Sequence, residues 1–441
     1  MASQFSLFKH RRFSAMFFTQ FLGAFNDNVF KQALILILTY VAAAKMGMAI
    51  STLNNLAAML FILPYFLFSA LAGQIADKYE KSTLTQGIKL LEIIIMMLAA
   101  VGFWFELYWL LFVALFLMGT QSTFFGPVKY AYLPEAMHKD ELVGANGLFQ
   151  TGTSLAILTG MMAAGVLTQL QDPTLWLIVA TISIAILGYI AARFIPSTPS
   201  HAKDLKINWN IISTSFDIIK YLYRLPLLFF VIIGNSWFWF YGATFLTQTP
   251  EFSKVILQGD ESVVIFLLTL FSVGTALGSL LCKALVKNQV SLRLLPIGIA
   301  GLSIFAIDLY FSLSSITITS TQMLSVGALL AMDGTWRVFA DLFFLGLSGG
   351  VYIVPMYAFM QAYAPISHRS RIVGANNIFN ALFMVGSAIF AIVILAVLKL
   401  SLPMLFLICG VINVLFGVFL YQKLMRHKDS MTPSKDDTPL V

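Results

Sequence analysis

Charge is scarce in this chain. Of 441 residues only 11% are Asp, Glu, Lys or Arg, whereas a soluble domain is nearer a quarter charged. The shortage excludes an ordinary soluble domain, and the net charge of +7 does not point to nucleic acid. Cysteine is almost missing. Cys282 and Cys409 sit in or beside apolar runs and make no zinc or disulfide pattern. No His, Cys and carboxylate constellation with catalytic spacing stands out, which argues against a membrane-embedded enzyme. No G-x-x-x-x-G-K-[ST] loop occurs, so ATP hydrolysis is not expected. Strand-like alternation is absent as well, which leaves helices. Neither a metal nor a cofactor is expected.

What the chain has is apolar length. It is 59% hydrophobic, with a mean hydropathy of +0.86. A run of about 20 apolar residues spans a bilayer. By that rule spans fall near 13–41, 49–72, 83–104, 107–128, 143–168 and 174–194. After a polar stretch they resume near 225–247, 262–282, 292–313, 338–360, 373–397 and 401–422. The expected fold class is an all-α polytopic membrane protein with 12 transmembrane helices in two six-helix pseudo-repeats. Its parts are a first half (1–195), a central cytoplasmic loop (196–224), a second half (225–422) and a disordered polar tail (423–441). The first apolar run follows Lys9, Arg11 and Arg12 and is too long for a signal peptide, so it reads as an uncleaved first span. Segment 314–337 is ambiguous. Its apolar part, Ile316 to Met332, is rich in Ser and Thr and reads as a re-entrant or interfacial helix in an outer loop. As a span it would make the count odd.

The placement of Lys and Arg fixes an orientation. With both termini cytoplasmic, only Lys45, Lys254, Arg337 and Lys399 lie outside, and Lys31, Lys89 and Lys129 lie within spans. All the remaining Lys and Arg fall on inner segments, as the positive-inside rule requires.

Within the first span, Gln20, Gly23, Asp27 and Lys31 recur at three- to four-residue spacing and form one polar stripe on a helix. A charge in the hydrocarbon core costs at least a few kcal/mol, so such residues face a bundle interior or a watery cavity. Two readings stand: a functional stripe around which the chain builds a cavity, or an i,i+4 pair, Asp27 with Lys31, that pins the helix. Lys89 and Glu92, at i,i+3 in the third span, read as a buried ion pair, or alternatively as a proton relay. Lys129, at the inner end of span four, either faces a ligand or snorkels to the surface. Asp308 in span nine lacks an obvious local partner. Trp237, Trp239 and Tyr241 either line an apolar path or form an interfacial belt.

The chain also repeats itself. Val143-Gly144-Ala145-Asn146 returns as Val373-Gly374-Ala375-Asn376, each copy opening a span after a short loop with ionisable residues. Upstream, Gly126-Pro127-Val128-Lys129-Tyr130 parallels Ile353-Val354-Pro355-Met356-Tyr357. A match at the same place in each six-span half points to two parallel repeats about an axis along the membrane normal.

The loop after span two reads Gly73-Gln74-Ile75-Ala76-Asp77-Lys78-Tyr79-Glu80-Lys81. It resembles the G-x-x-x-D-[RK]-x-G-[RK] signature of the major facilitator superfamily, matched at Gly73, Asp77, Lys78 and Lys81, with Glu80 in place of the second glycine. The resemblance implies a major facilitator fold and a cytoplasmic gate in which the Asp pairs with helix termini. The corresponding Gly278-Ser279-Leu280-Leu281-Cys282-Lys283 keeps the Gly and Lys and lacks the Asp. A narrower resemblance rests on FLGAFNDNVFKQAL (21–34), GPVKYAYLP (126–134), ELVGANGL (141–148) and SWFWFYGATFLTQTP (236–250). These are similar to the bacterial lysophospholipid transporter family, which includes transporter domains fused to acyltransferases.

That resemblance implies a secondary carrier moving lysophospholipid inward by alternating access, and it places Asp27 and Lys129 in the substrate or coupling site. Lys31 and Lys129 are candidate phosphate partners. Asp27 and Asn28 would take an ammonium or a hydroxyl, or Asp27 a coupling cation, sodium or proton. Gln20, Asn235, Trp237, Trp239 and Tyr241 complete the candidate set. Such relatives are expected to use an arginine in span seven for the phosphate. Here that span has none between Arg224 and Lys254, which leaves open another amphipathic or anionic substrate such as a siderophore or drug. The His-x4-Asp acyltransferase motif is missing, so a separate acyltransferase is the implied partner. The chain is expected in a bacterial inner membrane, among membrane lipids, as a monomer.

Overall fold

The computed structural model describes residues 4–286, 290–316, 318 and 322–427. The chain is all-helical: among the described residues the only strand-type pairing is one isolated bridge, Gly259 with Leu324. Among the described residues, twelve helices are long and apolar enough to cross a membrane. We label them α1 (Arg11–Ile37), α2 (Ile50–Lys78), α3 (Lys81–Trp104), α4 (Tyr108–Ala136), α5 (Leu142–Leu167), α6 (Pro173–Arg193), α7 (Pro226–Glu251), α8 (Glu261–Val286), α9 (Leu295–Ser314), α10 (Thr335–Tyr363), α11 (Arg369–Ile392) and α12 (Leu402–His427). Between α9 and α10 the described residues of 314–337 hold one five-residue helix, Val326–Leu330, where a span needs about 20 residues. Most of the expected tail, from residue 428 on, lies outside the described residues.

Several helices outrun the apolar windows that announce them. The clearest is α4, expected to end at residue 128 and observed to continue to Ala136. Its last two turns are polar yet packed on protein. The Tyr132 hydroxyl donates to the Arg12 carbonyl at 2.8 Å. Glu135 forms a 2.7 Å ion pair with Lys81, and both side chains are buried. Pro127 in α4 and Pro355 in α10 both lie inside their helices, one position apart in the register of the upstream repeat seen in the sequence.

The chain divides into two compact units. The first comprises Met1–Phe216 with Ile366–Ala381, the second Asp217–Pro365 with Leu382–Val441. In the first, an apolar core fills the end nearer the α1–α2 and α3–α4 turns, from Phe30, Leu34, Leu53, Ile95, Phe103 and Leu115. A polar layer lies below it.

In the second unit, small residues set the packing. Gly274 and Gly278 on α8 face Gly346 and Gly350 on α10, four residues apart on each helix. A Cβ at any of the four would collide with backbone of the facing helix. In lipid, where tails are as apolar as Leu, such close backbone approach is a main source of helix association.

Candidate functional site

The polar layer of the first unit starts from a buried charge pair. Lys89 Nζ lies 2.6 Å from Glu92 Oε2, and the two side chains are 0% and 1% exposed. Glu92 also accepts from Asn26 of α1 at 3.0 Å and from Gln121 of α4 at 3.2 Å. Three helices thus supply one carboxylate with its donors, the condition under which a buried pair is tolerated. Gly23 makes the room, since a Cβ there would collide with the Lys89 ammonium.

Next to this pair lies a half-buried face. Asp27 and Lys31, one turn apart on α1, are neither fully buried nor exposed, and the same holds for Ser122 and Lys129 of α4. Ser122 donates to Asp27 Oδ2 at 2.7 Å and also reaches Gln121 Oε1 at 3.2 Å, which ties this face to the buried pair. The Tyr65 phenol of α2 lies beside the same Ser122. The second oxygen of Asp27, Oδ1, is buried and has no hydrogen-bond partner among the described residues. Lys31 does not pair with Asp27. Its ammonium sits over the Phe61 ring, 5.1 Å from the centroid. The Lys129 ammonium sits over Tyr130 at 5.1 Å and Phe125 at 5.7 Å. Neither lysine appears in an ion pair among the described residues. Lys129 lies seven residues inside the end of α4, about 10 Å at 1.5 Å per residue.

The face and the buried pair beside it together hold three ammoniums, Lys31, Lys89 and Lys129, against two carboxylates, Asp27 and Glu92. An excess positive charge held on aromatic rings can accept an anion. The unpartnered Asp27 oxygen offers an acceptor to a cation, ammonium or hydroxyl.

Other sequence candidates fall elsewhere. Gln20 is buried and bound to α5, accepting from Thr153 at 3.2 Å. Asn28 donates to its own helix at the Ala24 carbonyl, 2.7 Å, and packs where Gly160 of α5 approaches. In the second unit, Trp237 is buried, donates to Asn413 of α12 at 2.7 Å and stacks on Phe416. Tyr241 is buried and donates to the Leu302 carbonyl of α9 at 2.7 Å. Both are tied into helix packing. Asn235 is buried, with its amide near Met360 Sδ at 3.8 Å, and Trp239 is half-buried, reaching the Tyr357 hydroxyl at 3.3 Å.

The loop signature forms a second cluster in the first unit. Asp77 Oδ1 accepts from the Ser370 amide at 2.8 Å, and Oδ2 accepts from Arg371 Nε at 2.9 Å and its amide at 3.3 Å. The carboxylate thus caps the start of α11, where a helix favours negative charge. Gly73 permits the approach, because a Cβ there would come within 2.6 Å of Arg371 Cα. Lys78 lies over the Tyr79 ring at 5.8 Å. Lys81 is the buried partner of Glu135. Glu80, in the place of the signature's second glycine, caps α3 by accepting from the amides of Ser82 and Thr83, each at 2.7 Å, and it binds the Thr198 amide at 3.0 Å. Burial works against the Glu80 charge, and these backbone bonds outweigh it, holding its carboxyl below the usual range.

Sequence reasoning passed over Asn26, Tyr65, Gln121 and Ser122, which only the rotation of α1, α2 and α4 brings to Asp27 and Glu92. Gln121 and Ser122 did carry a signal as adjacent polar residues in an apolar run. Asp308, without a partner along its own helix, pairs with Arg337 of α10. Nearby, the buried Asp341 accepts from Ser312 at 2.9 Å.

A profile of the Major Facilitator Superfamily matches residues 16–321. A lysophospholipid transporter of Escherichia fergusonii is 28% identical over 371 residues, covering 82% of each chain. One from an Enterobacter species is 29% identical over 367 residues, covering 81% of each. Among solved structures, the human organic anion transporter MFSD10 aligns over 93% of this chain and 99% of its own, with a TM-score of 0.71 at 12% identity. The Escherichia coli fucose:proton symporter FucP aligns over 93% and 98%, with a TM-score of 0.68 at 12% identity. At such identity the two structures speak for the fold alone.

Proposed function

The chain belongs to the major facilitator superfamily, and from that premise we propose that it carries lysophospholipids inward across a bacterial inner membrane by alternating access. One observation carries the reading: Lys31 and Lys129, free of any carboxylate partner among the described ion pairs, flank an Asp27 with an unpartnered oxygen, all within spans. A lysophospholipid brings the complement, with a phosphodiester for the two ammoniums and an amine or hydroxyl for Asp27. Similarity to the lysophospholipid transporters of Escherichia fergusonii and Enterobacter supports the same substrate class.

In this reading Lys31 and Lys129 act as point charges on the phosphate. Asp27 binds the head group or a coupling cation, sodium or proton. Gln20 and Asn28 pack α1 beside the site in the first unit, and within the second unit Asn235, Trp237, Trp239 and Tyr241 of α7 serve its helix packing or an apolar path of its own. Asp77 and Gly73, with Lys78 and Lys81, form the cytoplasmic gate, and Lys89 with Glu92 holds the layer beneath the site. The functional halves are 1–195 and 225–422, joined by 196–224. Both termini are cytoplasmic, the carrier works as a monomer, and a separate acyltransferase uses what it delivers. A second reading, a carrier of another amphipathic or anionic small molecule such as a siderophore or drug, is kept open by the lack of any basic residue from Leu225 to Ser253.

Uptake of labelled lysophosphatidylethanolamine into spheroplasts lacking their own flippase tests the proposal. Wild type is expected to transport. Asp27→Asn and Lys129→Ala are each expected to lose at least about tenfold of that rate, one charge-assisted hydrogen bond being worth about 1.5–3 kcal/mol. Well-inserted wild type without uptake overturns the substrate and leaves the second reading. Uptake surviving both changes returns Asp27 and Lys129 to structural roles.

A further inference from the structure

The polar linker carries a helix that does not cross the membrane, Ile211–Tyr223. Asn210 starts it by accepting from the Ser213 amide at 3.0 Å. At about 100° per residue its side chains divide into three sectors. Thr214, Ile218 and Leu222 fall together and are buried. Ser213, Asp217 and Lys220 form a polar sector. Ile212, Phe216, Ile219 and Tyr223 fall within about 60° of one another, and three of them are the exposed ones: Ile212 is 70%, Phe216 69% and Tyr223 64% exposed. Trp209, just ahead of the helix, is 69% exposed.

A helix with one apolar face suffices to pack on protein. This one has a second, set apart from the polar sector. Its ends are held at membrane-proximal points. The Asn208 amide donates to Gln74 of α2 at 2.9 Å. Tyr223 stacks on Phe229 in the first turn of α7, centroids 4.8 Å apart, so the exposed stripe continues onto a spanning helix. Phe229 in turn lies against Phe230, which packs on Phe419 of α12. The charges nearby lean positive, with Lys203, Lys206, Lys220 and Arg224 against Asp204 and Asp217.

We propose that Ile211–Tyr223 is an interfacial helix whose Ile212–Phe216–Tyr223 stripe inserts into the leaflet at which α7 begins, with Lys220 and Arg224 on anionic lipid head groups. The three-sector division fits a helix lying where protein, lipid and water meet. The apolar stripe supplies insertion and the cations supply attraction to a negative surface. Trp209 and Tyr223 are of the type that settles at head-group depth.

The test places spin labels on the full chain, with the buried Cys282 and Cys409 replaced by alanine. Labels go at Ile212→Cys and Phe216→Cys, and at Ser213→Cys and Lys220→Cys. Collisions with oxygen and with a water-soluble nickel chelate are measured in nanodiscs of phosphatidylcholine, alone or mixed equally with phosphatidylglycerol. Positions 212 and 216 are expected to favour oxygen over nickel several-fold more than 213 and 220. The contrast should grow with phosphatidylglycerol, and Lys220→Gln with Arg224→Gln should abolish that growth. Equal nickel access at 216 and 220 overturns the proposal. So does shielding of 216 from both reagents, which would mean a second copy or another protein covers the stripe. A contrast indifferent to phosphatidylglycerol overturns the assignment of Lys220 and Arg224.

Discussion

Glu92 shows what a single side chain does in this protein. It neutralises Lys89, which is fully buried, and takes one donor from α1 and one from α4. Removing one partner of a buried pair leaves an uncompensated charge, at a cost of about 3–5 kcal/mol. Glu92→Gln is therefore expected to lower the unfolding temperature of the detergent-solubilised protein far more than its small change in shape would. Replacing both ends, Lys89→Met with Glu92→Leu, should recover a large part of the loss in the same thermal scans. An equal loss in the single and double variants would show that the Asn26 and Gln121 bonds matter more than the charge. The sequence shows Lys89 and Glu92 as neighbours because both lie on one helix at i,i+3. It cannot show Asn26 or Gln121 as their company, since that depends on how α1 and α4 are rotated about their axes. The stripe of Gln20, Asp27 and Lys31 divides for the same reason. A small rotation between turns sends Gln20 into α5 and leaves Asp27 and Lys31 on the half-buried face.

At the scale of an element, helix ends and helix contacts follow different chemistry. The α3 start is set by Glu80, a long carboxylate doing the work of a short N-cap residue. Its folded carboxyl is held below the usual range. The cap's contribution is thus complete above the unfolded carboxylate pKa, about 4.3, and is lost as pH falls through the lower folded value. Glu80→Ala is expected to destabilise by about 1 kcal/mol near neutral pH. The difference from wild type should shrink as denaturation is measured at successively lower pH below that range. A gap independent of pH would assign the effect to packing. Between α8 and α10 the control is steric. Gly278→Ala drives a methyl into the Leu347 carbonyl, and overpacking of this kind costs about 1–3 kcal/mol, readable as a fall in thermal stability. Gly242→Ala, with nothing near its Cβ, is the matched control. The existence of all twelve helices was legible from apolar length alone. Their ends were less so, because a polar turn such as 129–136 looks like loop until Lys81 and Arg12 are seen packed on it.

At the scale of the whole molecule, α11 is a single helix whose first turns, to Ala381, belong with the first unit while its remainder belongs with the second. The number of spans was legible because it rests on a local signal, apolar runs. This membership was not, because it depends on a contact between Asp77 and residues some 293 positions away. Alternating access, as proposed, requires contacts of this type to break and re-form in every cycle. Asp77→Asn keeps the size and loses the charge. Hydrogen bonds to charged groups are worth about 1.5–3 kcal/mol, so the contact should weaken by at least about tenfold. Gly73→Ala reaches the same contact by another route, forcing Arg371 away by steric clash with no change of charge. If the contact is a moving part, both variants should slow maximal uptake by about an order of magnitude while half-saturation stays near wild type, the pattern of a lost step rather than lost binding. Lys139→Gln, at an exposed position outside the proposed gate and site, should leave the rate close to wild type. Convergence of the charge and steric variants would make the Asp77–α11 contact part of the transport cycle. Wild-type rates in both, with lowered thermal stability, would make it packing only.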